Sequence, residues 1–190
     1  MRRYIYFVFL LCCAVNLLLT SCVRQQYVVM DMVHHNPGEV MTESKFLDPS
    51  FLKKNEYGAK VFFLFEAAQF GIDWKSFDPS LFPDTTEAGR WVAEKAEIIH
   101  KKYDAAKKED LQVYCMLDML VLPSLLVEKH RTELTNEQGK LDISKPYTQL
   151  CIRELMKEMF ETFPQLDGLV IRTGETYLHD APYYVGNHPV

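Results

Sequence analysis

The stretch LDGLVIRTGETYLHD, Leu166 to Asp180, joins an apolar, β-prone half to a polar half carrying Arg172, Glu175, His179 and Asp180. Glu175 is the sharpest candidate for chemistry. Gly174 precedes it, and a glycine there permits a bend that re-aims the next side chain toward a cleft. A carboxyl in a partly apolar cleft keeps its proton to higher pH, which suits a general acid. Arg172 has the fork to hold a substrate carboxylate or to orient Glu175, and an internal ion pair is its structural alternative. His179 and Asp180 fall on the loop after the strand, where ligand contacts commonly arise.

Similar groups stand at the ends of earlier apolar runs. Glu66 follows VFFLF directly, and Asp118 sits between Leu117 and Met119. A charge placed there is costly without a partner, so each is expected in a site or an ion pair. These two are the candidates for a second catalytic carboxyl. His34 and His35 are adjacent, so on a strand they face opposite ways, and only one can join Asn36 in a site. Trp74, Phe77, Tyr177, Tyr183 and Tyr184 surround these groups in sequence. Aromatic faces in a polar cleft suit the stacking of sugar rings, with loop packing as the alternative for each. His34, His35, Asp118 and His179 are of metal-ligand type. The first run lacks two histidines one residue apart, however, and neither metal nor cofactor is expected.

The elements that must position these groups alternate. YVVMDMVHH (Tyr27 to His35) reads as a strand and ESKFLDPSFLKKN as a helix. AKVFFLFEAAQF (Ala59 to Phe70) is a second strand run, closed by a long Asp-, Pro- and aromatic-rich loop. EAGRWVAEKAEIIHKKYDAAKKED is an amphipathic helix with Trp91, Ala96 or Lys95, Ile98, Ile99 and Tyr103 at spacings of three and four. Leu111 to Pro123 is the third run, and the segment from Ser124 to Pro146 reads as irregular. YTQLCIRELMKEMFETF is a helix with Leu150, Ile152, Leu155, Met159 and Phe160 on its apolar side. The stretch from Leu166 is the fourth run. Near-continuous apolar strands alternating with helices indicate a parallel sheet covered by helices.

Two α/β architectures fit this order, an open doubly wound sheet and a partial (β/α)8 barrel supplying about four strands. In both, ligands bind at the C-terminal ends of the strands. Polar groups at the end of every run favour the barrel, because an open sheet concentrates its chemistry at one switch point. A full barrel needs about 250 residues, so residues 27–190 are expected to be the N-terminal half of a longer enzyme.

The chain has 190 residues, a net charge of −5 and a pI near 5.7, which gives no basic footprint for nucleic acid. It contains no zinc-type Cys pairs, Walker loop, GxGxxG motif or internal repeat. MRRY followed by the apolar run IYFVFLLCCAVNLLL reads as a secretory signal over residues 1–21, too short for a spanning helix. Its ending, LTSC, resembles the bacterial lipoprotein signal, in which the cysteine, here Cys22, is lipidated and becomes the mature N-terminus. Residues 22–26 would then be a spacer. The lipid would hold the domain at a membrane of the cell envelope, on the outer membrane or the periplasmic face. Cys115 and Cys151 are expected to be buried small hydrophobes rather than a disulfide.

A lipid-anchored, secreted βα barrel with carboxylates and aromatics at its mouth resembles the glycoside hydrolases that Bacteroidetes-type bacteria export as lipoproteins. FEAAQFGIDW and LDGLVIRTGETYLHDAPYYVGN are similar to strand-end segments of such enzymes. In one large group of these barrels the acid/base Glu ends the fourth strand, and the nucleophile comes from the seventh. Glu175 matches the first position, although Gly174 stands where that group typically carries Asn. The resemblance implies hydrolysis of a poly- or oligosaccharide. A non-catalytic glycan-binding lipoprotein or fragment and a metal-dependent hydrolase are the competing readings.

Overall fold

A computed structural model describes residues 28–31, 45–63, 66–173, 176, 178 and 181–187. Four strands make the main sheet: β1 (Met30–Asp31), β2 (Ala59–Phe63), β3 (Gln112–Asp118) and β5 (Gly168–Arg172). All pair in parallel, in the order β1-β2-β3-β5. The helices between them are α1 (Pro49–Lys54), α2 (Glu87–Lys108), α3 (Ser124–Lys129), α4 (Arg131–Leu134) and α5 (Pro146–Thr162). A short antiparallel pair, β4 (Val121–Pro123) with β6 (Tyr184–Gly186), lies beyond the main sheet.

The strand order decides between the two architectures. Each crossover places its strand beside the previous one and always steps the same way. Crossovers between parallel strands are almost always right-handed, so helices that step one way all fall on one face. An open doubly wound sheet instead reverses its order at a switch point. The chain is therefore an α/β unit of four successive barrel-type strands, a partial (β/α)8 barrel.

The register separates the two faces. Phe62 and Cys115 are partners on the helix-covered face. There the Phe62 ring lies 4.7 Å from that of Tyr103 in α2, and Cys115 Sγ accepts the Ala68 N–H. The opposite face is built in rows, as a barrel interior is. Val61, Tyr114 and Gly168 form one row, and Phe63, Met116 and Val170 the next. Gly168 is needed where it stands, because a Cβ there would lie 2.7 Å from the Tyr114 ring. At the β5 edge, Ile171 on the helix-covered face is 46% exposed.

Charge is also buried on the helix side. Asp31 and Lys60 are register partners, and Lys60 Nζ donates to Asp31 Oδ2 at 2.8 Å and to the Phe46 carbonyl at 3.0 Å. These two hydrogen bonds offset part of the cost of burying the pair.

Several elements depart from expectation. β2 ends at Phe63, and Ala68–Phe70 forms a 3₁₀ turn that packs back against the helix layer. The third run is two strands, β3 and β4, broken at Met119 and Leu120. The segment read as irregular contains α3 and α4, too short for periodicity to reveal. In α2 the buried stripe is Val92, Ile99, Tyr103 and Ala106, while Ile98 is exposed. In α5, Phe160 is likewise exposed, and the buried side runs through Cys151, Ile152, Leu155 and Met159. Cys115 and Cys151 are free and buried.

Candidate active site at the carboxyl ends of the strands

The row above Phe63, Met116 and Val170 is polar. Asp118 ends β3 and Arg172 ends β5, and the two are register partners. Both side chains project from the inner face, since they continue the alternation set by Tyr114 and Met116. Arg172 Nε donates to Asp118 Oδ1 at 2.5 Å, and its terminal amino nitrogen donates to Oδ2 at 2.8 Å. The guanidinium also stands over the Phe63 ring, 5.8 Å from its centroid. Asp118 is only 3% exposed. This two-pronged pairing is the strongest geometry available to an Arg and a carboxylate. It also fixes a planar cation at the end of β5, three residues before Glu175.

The pairing is the internal ion pair that each of the two residues had as its structural alternative. Arg172 directs its fork at Asp118. Asp118 in turn accepts both guanidinium bonds.

Glu66 also has an ion-pair partner. It lies just beyond β2, where the chain turns back toward the helices, and its carboxylate is ion-paired to Lys102 of α2. Its carbonyl accepts the Tyr103 hydroxyl at 2.9 Å. Both contacts draw Glu66 toward the helix layer and away from the row that holds Asp118.

Trp74 does not offer a ring to a sugar. It is fully buried, sits at φ 57°, and packs against Phe77 at 6.0 Å. The loop after β2 carries it inward beside Ser76 and the buried Glu158 of α5. Ser76 Oγ donates to Glu158. Burial raises the Glu158 pKa above the usual carboxylate range, and the Ser76 bond opposes that shift. Tyr184 is buried as well, with its hydroxyl directed at the Gln69 carbonyl 3.3 Å away, and burial raises its pKa.

Glu175, Tyr177, His179, Asp180, His34, His35, Asn36 and Cys22 lie outside the described residues. Among the described residues, no group of three or more His, Cys, Asp or Glu side chains is disposed to hold a metal ion. No described helix is long and apolar enough to cross a membrane.

One feature of this end of the sheet showed in the sequence only through Tyr183. A cleft of about 320 Å³ opens between the loop before α2, the β4–α3 junction and the segment before β6. α2 runs antiparallel to the strands, so its N-terminus lies at their carboxyl end, and the cleft lies there with it. Its walls are Leu81, Phe82, Pro83, Pro123, Pro182 and Tyr183, with Glu128, Ser80, Ser124 and Thr86 as polar groups. These come from three separate loops, and only the fold brings them together.

No protein-family model matches the chain, and no curated protein matches it. Among solved structures, it is similar to a noncanonic maltogenic alpha-amylase from Thermotoga neapolitana. The identity is 15% and the TM-score 0.47, over 80% of this chain. The chain spans 40% of the length of that structure.

Proposed function

We propose that this chain supplies the first four strands of an exported glycoside hydrolase, with Glu175 as its acid/base and a lipid on Cys22 as its anchor to the cell envelope. One observation carries the reading. The singly wound sheet gathers Asp118 and Arg172 on its inner face at the carboxyl ends, and the chain leads from Arg172 directly into the segment that holds Glu175. Arg172, clamped by Asp118, anchors the start of that segment. Glu175 then donates a proton to the leaving glycosidic oxygen. Its partner carboxyl would stand about 5–5.5 Å away in a retaining enzyme, or about 6.5–9.5 Å away in an inverting one. Glu66 is paired with Lys102 and Asp118 with Arg172, so we assign the partner to a strand beyond these four. His34 or His35, Asn36, Tyr177, His179 and Asp180 are assigned to substrate contact.

The test is reducing-sugar release from a panel of oligosaccharides by the full-length protein. Glu175→Gln should lower kcat by about a thousandfold or more, because it removes the proton donor while keeping the shape. Unchanged turnover would take the role from Glu175. Separately, Cys22→Ala should abolish incorporation of radiolabelled palmitate and release the protein from the membrane fraction. Continued labelling would end the anchor assignment.

A further inference from the structure

We infer that the cleft between α2, α3 and the segment before β6 is a subsite for one uncharged sugar ring, so that the substrate is a neutral glycan and not a polyuronide. The inference rests on the glycoside-hydrolase reading and deepens it.

Size comes first. About 320 Å³ is at the lower end of ordinary small-ligand sites, which run from roughly 300 to 1,000 Å³. That suits a single ring within a longer chain. The wall chemistry comes next. A pyranose has an apolar face of C–H groups and a rim of hydroxyls. Phe82, Pro83, Pro123 and Pro182 offer rigid apolar surface, and Tyr183 adds an aromatic ring that packs edge-on against Trp91 at 5.8 Å. Leu125 stands on the lip with 39% of its surface exposed, an apolar group that a bound ring would cover. Glu128 and Ser124 supply groups for sugar hydroxyls.

Charge then decides which sugar. Among the described residues, the Glu128 side chain makes no ion pair or hydrogen bond. Its neighbour Lys129 does not neutralise it, since Lys129 Nζ is held by Asp78 Oδ2 at 2.8 Å and also donates to Ser80. Glu87, at the first position of α2, adds a second carboxylate beside Tyr183, where Arg90 opposes it in part while donating to the Thr85 carbonyl. The N-terminus of α2 opposes these with partial positive charge. That contribution is the smaller one, because the Thr86 side chain already accepts the Gly89 N–H at 3.0 Å. A carboxylate brought in on a uronic acid would meet the Glu128 charge with both groups partly stripped of water, which is unfavourable. A neutral ring meets Glu128 as a hydrogen-bond acceptor. Arg172 cannot reverse this preference, because its fork is committed to Asp118.

The experiment is calorimetric titration of the full-length Glu175→Gln protein with maltotriose, cellotriose, chitotriose and trigalacturonate. At least one neutral trisaccharide should bind, and trigalacturonate should bind at least tenfold more weakly. Leu125→Asp, at an exposed position that does not challenge folding, should weaken the neutral ligand by about tenfold. Tyr183→Ala should do the same. Glu128→Gln should narrow the gap between neutral and acidic ligands. Equal or tighter binding of trigalacturonate, binding of no trisaccharide, or indifference to both Leu125→Asp and Tyr183→Ala would overturn the subsite. Failure of the enzymatic reading is distinguishable. Neutral sugars would then bind through Leu125 and Tyr183 while the unsubstituted protein released no reducing ends.

Discussion

Asp118 and Arg172 face each other across β3 and β5, and two hydrogen bonds of 2.5 and 2.8 Å join the carboxylate to the guanidinium. The pair closes the inner face of the sheet where the next row would open to the site. Removing one partner strands the other in a poorly solvated place. Arg172→Met should therefore destabilise the protein by about 3–5 kcal/mol, and Asp118→Leu by a similar amount. The double variant should recover much of that loss, because replacing a buried pair by apolar groups of similar volume is often close to neutral. Urea denaturation of the four proteins reads the cycle. Strictly additive losses would show that the pair is not a unit.

Gly89 gives a prediction whose sign runs against helix propensity. It lies in the first turn of α2, where Ala ordinarily stabilises by about 1 kcal/mol relative to Gly. Here a Cβ would stand 2.1 Å from the Pro83 carbonyl oxygen and 2.7 Å from its carbon. Both are backbone atoms, so no side chain can swing away. Gly89→Ala should destabilise by roughly 1–3 kcal/mol, as overpacking does, and it should disturb the cleft that Pro83 lines. A gain in melting temperature would refute the close approach.

The sheet was legible because it depends on runs. Val61, Phe62 and Phe63, or Val113 through Leu117, are apolar without interruption, and that marks a parallel strand covered on both sides. The strand order was not legible, since nothing in one run names its neighbour. The site was legible only as residue types. Asp118 and Arg172 lie 54 positions apart, and sequence offers no sign that they share a register row. One turn of the chain places both Glu66 and Trp74. Each follows an apolar run, but the chain folds back at Glu66 and carries both into the helix layer instead of the mouth. Of the cleft, only Tyr183 stood out in the sequence, because proline, serine and leucine in loops become a binding surface only once three loops meet. Glu175 matches the resemblance through its place at the end of the fourth run, while Gly174 before it departs from the pattern.

Glu158 ties stability to pH. Burial raises its pKa above the ordinary 4.5, against the opposing Ser76 bond. A raised carboxyl contributes stability that is fully present below the unfolded-chain pKa and is lost as pH climbs through the folded one. Wild-type protein should thus carry a cost at neutral pH that it lacks in mild acid. Glu158→Gln keeps the shape and an acceptor for Ser76 but cannot ionise. Its stability relative to wild type should improve between about pH 4 and about pH 8. Urea unfolding at the two pH values checks this. A difference that is flat, or that favours wild type more as pH rises, would contradict the burial of Glu158 as an acid.

The two core thiols should be chemically silent in the native protein. Burial pushes Cys115 up to about 11, against the hydrogen bonds from the Ala68 N–H and the Tyr103 hydroxyl. Burial also pushes Cys151 up to about 11. Only the thiolate attacks an alkylating reagent, so at about pH 8 roughly one molecule in a thousand is reactive at either site, before access is counted. Both are enclosed, Cys115 beneath the 3₁₀ turn at Ala68–Phe70 and Cys151 on the buried side of α5. Iodoacetamide at about pH 8 should leave both unmodified in the native state and label both in urea, as read by peptide mass. The labelling rate should then report opening of the helix layer. Rapid native labelling of Cys115 would mean that the loop after β2 does not stay folded against β3, and the displaced positions of Glu66 and Trp74 would fall with it.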